Sequence, residues 1–226
     1  MPTKLRTVDS MSAASSEAHR RVSLFDRRPL ITTFADKYRV REYVREKLGS
    51  ERQLIKVYGV YGDPAEIDER DLLDRFVMKP NHGSGLIMFC DRKTECDIDK
   101  LRMVARSWMR MNNYDHSKEW CYKHIKPVIL IQKWLGLDGQ IPPDFHGKPQ
   151  FVHADLSRFT DHRRNLYDMN WNYVEGRLAY PNSEVLPIKR PKLFAEMREI
   201  ASKLLGDTDF VRVDLYDGTF TRWNGG

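Results

Sequence analysis

The apolar residues of this chain come in short runs of strand length, each closed by a turn, and alternate with helical stripes in no strict strand–helix–strand order. That rhythm argues against a doubly wound parallel sheet and for an α+β fold with mostly antiparallel pairing. Strands are expected over Leu54–Val60, Phe76–Lys79, Leu86–Cys90, Val128–Leu135 and Asp209–Tyr216, with Gln150–Asp155 and Arg163–Tyr167 forming an antiparallel pair. Val40, Tyr43, Val44 and Leu48 recur at helical spacing, so a helix is expected from Asp36, which can cap it, to Leu48, before Gly49. A second carries Ile98, Leu101, Val104, Ala105 and Trp108; a third opens near Pro191, carries Phe194, Met197, Ile200, Ala201, Leu204 and Leu205, and ends at Gly206. A short helix is expected over Ala65–Asp74, and Gly136–Gly147 reads as a Gly/Pro-rich loop. The densest apolar run, Pro127–Leu137, is interrupted by Gln132 and Lys133 and falls short of the roughly 18 residues a membrane helix needs.

At 226 residues the chain holds one domain or two small, intimate ones. Residues 1–24 lack an apolar period and read as a flexible lead-in, without the h-region of a secretory signal. Three cysteines, Cys90, Cys96 and Cys121, suggest neither a disulfide framework nor a zinc site; with the thiols read as reduced, a cytoplasmic location is expected. Lys and Arg number 38 against 32 Asp and Glu, a net charge of +6 that favours anionic partners. Nucleic acid is the weakest of these, because the basic residues are scattered and no nucleic-acid-binding signature occurs.

Three segments carry candidate chemistry. In Phe76–Gly85, Lys79 leaves a strand directly before Pro80-Asn81-His82-Gly83-Ser84-Gly85. Glycines let backbone N–H groups approach phosphate oxygens and an adjacent ammonium neutralises charge, although an ordinary hairpin turn would look the same. In Val211-Arg212-Val213-Asp214-Leu215, alternation puts Arg212 and Asp214 on one face, as a phosphoryl group and its Mg²⁺ require, or as a surface pair would. Between Asp155 and Asp168, Arg158, Arg163 and Arg164 can converge on an anion or lie in a solvated loop. His82, His153 and His162 lack spaced partners and read as packing or hydrogen-bonding residues, so no zinc is assigned.

In order, Asp26–Leu30, Phe34–Tyr38, Val40–Val44, Phe76–Gly85, Arg158–Asn165, Tyr180–Asn182 and Val211–Asp214 resemble the ATP-grasp family of the teichuronopeptide-biosynthesis (TupA-like) type, often labelled glycosyltransferase-like. The resemblance implies an ATP-grasp-like fold over residues 25–217, in two small subdomains of mostly antiparallel sheet with flanking helices, and a truncated tail at 218–226. It implies ATP and Mg²⁺, and activation of a carboxylate as an acylphosphate that an amine attacks. The partners it implies are a nucleotide and a carboxylate- or amine-bearing precursor of a surface polymer, at the inner face of the membrane. By position, Lys79 would contact the phosphates, with Gly83, Ser84 and Gly85 looped over them and Lys37 approaching the same pocket. Gln132, Lys133, Trp134 and Leu135 would line the adenine, Arg212 would steady the transferring phosphoryl group, Asp214 would ligate Mg²⁺, and Arg158 and Arg163 would face the substrate carboxylate.

The chain also departs from the family's pattern. Gln132-Lys133 stands where an acidic pair is usual, Asp144-Phe145-His146 stands where a longer segment carries an Asp-Tyr-Lys, and 217–226 lacks the Glu-Leu-Thr-Phe motif whose glutamate is a second Mg²⁺ ligand. Three readings compete: an ATP-dependent carboxylate–amine ligase with another acid, such as Asp217, replacing that ligand; a non-catalytic nucleotide- or glycan-binding module; and a glycosyltransferase, for which Asp97-Ile98-Asp99 has the spacing of a metal motif. Asp97 and Asp99 also stand where acids favour a helix N-terminus, and capping is the preferred reading.

Overall fold

The computed structural model describes residues 24–83, 85–134, 144–146, 151–156, 161–177, 180–184, 188–205 and 212–215, with the backbone alone at 144–146, 151, 212 and 214. Its α+β content is two small antiparallel sheets and, among the described residues, five helices. The chain divides after Trp134 into two compact units, the first beginning at Arg21.

In the first unit, strands β1 (Val57–Tyr61), β2 (Phe76–Pro80), β3 (Met88–Cys90) and β4 (Ile129–Lys133) form a sheet in the order β1-β4-β2-β3. Phe76 and Met78 of β2 and Ile129 and Ile131 of β4 turn to one face, where they meet Leu101, Ala105 and Trp108 in the apolar core. Those three residues are the buried stripe of a helix at Ile98–Met109, and their burial supplies the attraction that holds it on the sheet. Asp97 accepts hydrogen bonds from the backbone N–H groups of Asp99 and Lys100. This is the capping role, and both bonds end on Oδ1.

The expected helix from Asp36 is two elements: α1 (Pro29–Ala35) ends before Asp36, and α2 (Val40–Leu48) starts after a turn. The reason is tertiary, since Lys37 N–H donates to the Asn81 carbonyl instead of continuing a helix. Gly49 ends α2 at φ +64°, a conformation that favours glycine. Ala65–Asp74 is likewise not one helix. Asp63 and Asp68 each cap a single 3₁₀ turn, at Pro64–Glu66 and Glu69–Asp71, on either side of the buried Ile67. The helix at Ile98–Met109 is α3, and α4 (Asn113–Ser117) comes after it.

The cysteine expectation is corrected, because Cys90 at the end of β3 is bonded to Cys96, just before α3, and only Cys121 is free. The bond removes the thiol argument for a reducing compartment. Denatured but unreduced protein is expected to give one thiol per chain in an Ellman titration, and three after reduction. Chain entropy for a loop this short assigns the bond about 2 kcal/mol, readable as a lower Tm on reduction.

The second unit is a sheet in the order β8-β7-β6-β5-β9, from β5 (Asp144–His146), β6 (Phe151–Leu156), β7 (Arg163–Asp168), β8 (Tyr173–Val174) and β9 (Arg212–Asp214). The β6–β7 pair is antiparallel as expected. β5 lies inside the expected Gly136–Gly147 loop and corrects it: three residues are too few to show a period, and pairing with β6 and β9 makes them a strand. The third helix, α5 (Phe194–Leu205), buries Phe194, Met197, Ala201, Leu204 and Leu205, and the Trp171 ring lies 5.0 Å from Phe194. Of the expected lead-in over 1–24 only Leu24 is described, and it is helical; the rest of it and the tail at 218–226 lie outside the described residues. No helix among the described residues is long and apolar enough to cross a membrane.

Candidate functional site

The loop after β2 is held by buried polar groups. Asn81, 1% exposed, donates from Nδ2 to Asp36 Oδ1 and to the Lys126 carbonyl, both at 3.0 Å, and accepts from the Val128 N–H at Oδ1, 2.8 Å away. Asp36 in turn accepts from the backbone N–H groups of Tyr38 and Arg39. His82 places Nε2 3.1 Å from the Trp108 carbonyl and 3.0 Å from that of Met111, with Nδ1 3.1 Å from Asn81 Oδ1. Burial pushes the His82 pKa down against the pull of those carbonyls. His82 is thus a hydrogen-bonding residue that ties the loop to the end of α3. The network joins the loop to the α1–α2 turn and to the start of β4, so the backbone beyond Lys79 is pre-organised. Gly85 sits at φ +76°, and a Cβ on Gly83 would come within 3.2 Å of Leu86 Cδ1. Ser84 lies outside the described residues.

Around this loop three cations gather. Lys37 Nζ donates to the Gly83 carbonyl. Its pKa is pulled down to about 8, first by burial and then by the charge of Lys79, with Asp36 opposing. Lys79 is lowered by burial and then by Arg41; Arg41 is lowered by burial and then by Arg45 while donating from Nη1 to the Ile55 carbonyl at 2.9 Å. Among the described residues no carboxylate forms an ion pair with Lys37, Lys79 or Arg41. Partly buried like charges raise the energy of the free protein, and a polyanion relieves it. Arg41 is the member that sequence reasoning missed; its i, i+4 spacing from Lys37 was the available signal.

The same sheet face continues away from the loop. Lys79 is opposite Leu130 and Val77 is opposite Gln132, so Lys79 and Gln132 share the face turned away from the apolar core. Gln132 is 5% exposed and its Oε1 has no hydrogen-bond partner. A buried acceptor left unpaired costs about 1–3 kcal/mol, which a ligand N–H can recover. The Trp134 ring lies 5.7 Å from that of Phe89, and the Arg75 guanidinium sits 4.4 Å from its centre. Lys133 is exposed and opposite Phe76, so alternation takes it to the other face. Leu135 lies outside the described residues.

In the second unit the arginine set divides. Arg163 pairs with the exposed Asp161 at 2.9 Å. Arg164, in register with the buried Asp155, grips it through Nε at 2.5 Å and Nη2 at 2.8 Å. Burial pushes the Asp155 carboxyl up, but Arg164 and then His162 outweigh it and hold it below the usual carboxylate range. His162 Nε2 is 3.2 Å from Asp155 Oδ1, and its ring packs 3.6 Å from Tyr180. Arg158 lies outside the described residues. Arg212 and Asp214 are two residues apart on β9, opposite His146 and Asp144 respectively. Among the described residues no group of three His, Cys, Asp or Glu side chains forms a metal site.

The structure therefore brings Lys37, Lys79 and Gly83 together, adds Arg41, and places Gln132 along the same sheet face. A family model described as TupA-like ATPgrasp matches residues 18–220. No curated protein and no solved structure matches the chain.

Proposed function

Given that the chain belongs to the TupA-like ATP-grasp family, we propose that it is an ATP-dependent carboxylate–amine ligase acting on a surface-polysaccharide or peptide-polymer precursor at the inner face of the membrane, through an ATP-grasp-like domain over residues 25–217. In this reading Lys79, Lys37 and Arg41 take the phosphates, Gly83–Gly85 close over them, and Gln132 and Trp134 meet the adenine. Arg212 steadies the γ-phosphoryl group as a substrate carboxylate oxygen attacks phosphorus and ADP leaves. Arg158 and Arg163 hold the carboxylate end; the amine nitrogen then attacks the carbonyl carbon, phosphate departs with the C–O bonding pair, and the amine loses a proton. Mg²⁺, when bound, would neutralise phosphate charge, and Asp214 would supply a carboxylate of the kind such a hard cation takes.

The observation that carries the reading is a run of three partly buried cations, Lys37 bonded to the Gly83 carbonyl, Lys79 next to it and Arg41 next to Lys79, with no ion-paired carboxylate among the described residues. Charge and position do most of the work in phosphoryl transfer, and these groups supply both. A calorimetric titration of the full chain with ATP tests it, and saturable binding is the expected result.

The pH dependence is specific. Lys37 holds its proton below about pH 8 and loses it above, so phosphate affinity should fall as pH rises through that value. Lys37→Met should bind more weakly at pH 7 and lose that component of the profile. An unchanged profile would remove Lys37 from the site.

A further inference from the structure

We propose that Lys37 is an acylation site. An acyl phosphate docks its phosphate on Lys79 and Arg41, the Lys37 amine takes the acyl group, and the lost charge weakens nucleotide binding. The inference rests on the phosphate reading of this cluster and adds to it a covalent regulation of the same site. Lys37 Nζ donates to the carbonyl of Gly83, in the loop that Asn81 and His82 hold in place. The amine is therefore fixed at the loop instead of extended into solvent, and a group bound beside the loop meets it in one orientation. The charged and titratable groups that act on it are Lys79 on β2, His82 on the loop and Asp36 on its own turn. Asp36 is already engaged: Oδ1 accepts from Asn81 Nδ2 and from the N–H groups of Tyr38 and Arg39, and Oδ2 lies 3.9 Å from Arg39 Nε.

A lysine that is desolvated and set next to another cation is an activated nucleophile. Burial and then Lys79 pull Lys37 down to about 8, so at that pH about half of it is neutral amine, against under about 1% of an ordinary exposed lysine. The weaker base is also the weaker nucleophile and gives part of that gain back. In the transfer, the neutral Nζ attacks the acyl carbonyl carbon, the C–O bond to phosphate breaks, and phosphate leaves with the bonding pair. The nitrogen sheds one proton to solvent and becomes an amide, with no oxidant, reductant or metal consumed. Lys79 and Arg41 stabilise the departing phosphate. In the ligase reading an acyl phosphate forms at this site, so Lys37 competes with the acceptor amine. The acylated chain, short of one positive charge, then loses hold of the nucleotide.

The test is acetyl phosphate, incubated with the full wild-type chain and followed by peptide mass spectrometry, with the exposed Lys133 of the opposite sheet face as internal reference. Lys37 should be acetylated roughly tenfold faster than Lys133, and its rate should level off above about pH 8. Excess inorganic phosphate, which competes for Lys79 and Arg41, should remove most of that advantage. Equal labelling of the two lysines, or an advantage that inorganic phosphate leaves intact, overturns the proposal. Lys37→Gln, which carries a neutral amide, should bind ATP roughly tenfold more weakly than Lys37→Arg, which keeps the charge; equal affinities would mean that acylation does not regulate the site. ATP should protect Lys37 as inorganic phosphate does. Protection by phosphate without protection by ATP keeps the acylation site and removes the ligase reading. Calorimetric ATP binding by a chain whose Lys37 stays unlabelled removes the acylation site and leaves that reading in place.

Discussion

Lys79→Ala is expected to weaken ATP binding by roughly 10- to 150-fold, the equivalent of about 1.5–3 kcal/mol for one lost charge-assisted contact. The effect should be large because Lys79 is partly buried, has no ion-paired carboxylate among the described residues, and is flanked by Arg41 and Lys37. The fold should not suffer. Removing one of three mutually repelling cations relieves the free protein, so Tm should hold or rise while affinity drops. Lys133→Ala makes the contrast, since Lys133 is exposed on the opposite face and its loss should leave affinity nearly unchanged. Calorimetry on both variants decides the matter. Equal losses would mean that the sheet face carrying Lys79 is not the phosphate face.

Asp155→Ala should cost about 3–5 kcal/mol of stability, the largest effect on folding expected here. Arg164 would keep its charge within the second unit with the Tyr180 ring beside it but no carboxylate, because the two hydrogen bonds of its side chain both end on Asp155. Hydrogen exchange in β6 and β7 during urea unfolding reads this unit without mixing it with the first. The pH dependence has a definite sign. Asp155 titrates lower in the folded chain than in the unfolded one, so its contribution is complete above the unfolded value near about pH 4 and is lost as pH falls through the folded value. Asp155→Ala should lack that acid-side loss; a profile matching the wild type would show that the pair does not stabilise the fold.

The helical stripes at Ile98–Met109 and Phe194–Leu205 were legible because each spans three turns, long enough for the 3.6-residue period to show. The β6–β7 pair was legible from two strand-length runs across a short connection. Asp144–His146 was not, because three residues carry no period and owe their strand conformation to the neighbours on either side. Asp36 illustrates a partial success. A capping acid at a helix start was expected, and the structure uses it to hold a turn that Asn81, 45 residues away in sequence, also grips. Arg163 and Arg164 are adjacent and chemically identical in sequence, yet only Arg164 stands opposite the buried Asp155.

By itself the sequence determined the class of fold, the faces of its longer elements and the lysine that leads into the glycine loop, because each depends on periods and neighbours within one segment. Tertiary structure alone decided that Lys37, Arg41 and Lys79 share one partly buried place, that Arg164 rather than Arg163 takes Asp155, that Cys90 closes on Cys96, and that Asp144 stands between His153 and Asp214. These are relations between segments. Desolvation and strand register set them, and neither acts until the chain has folded.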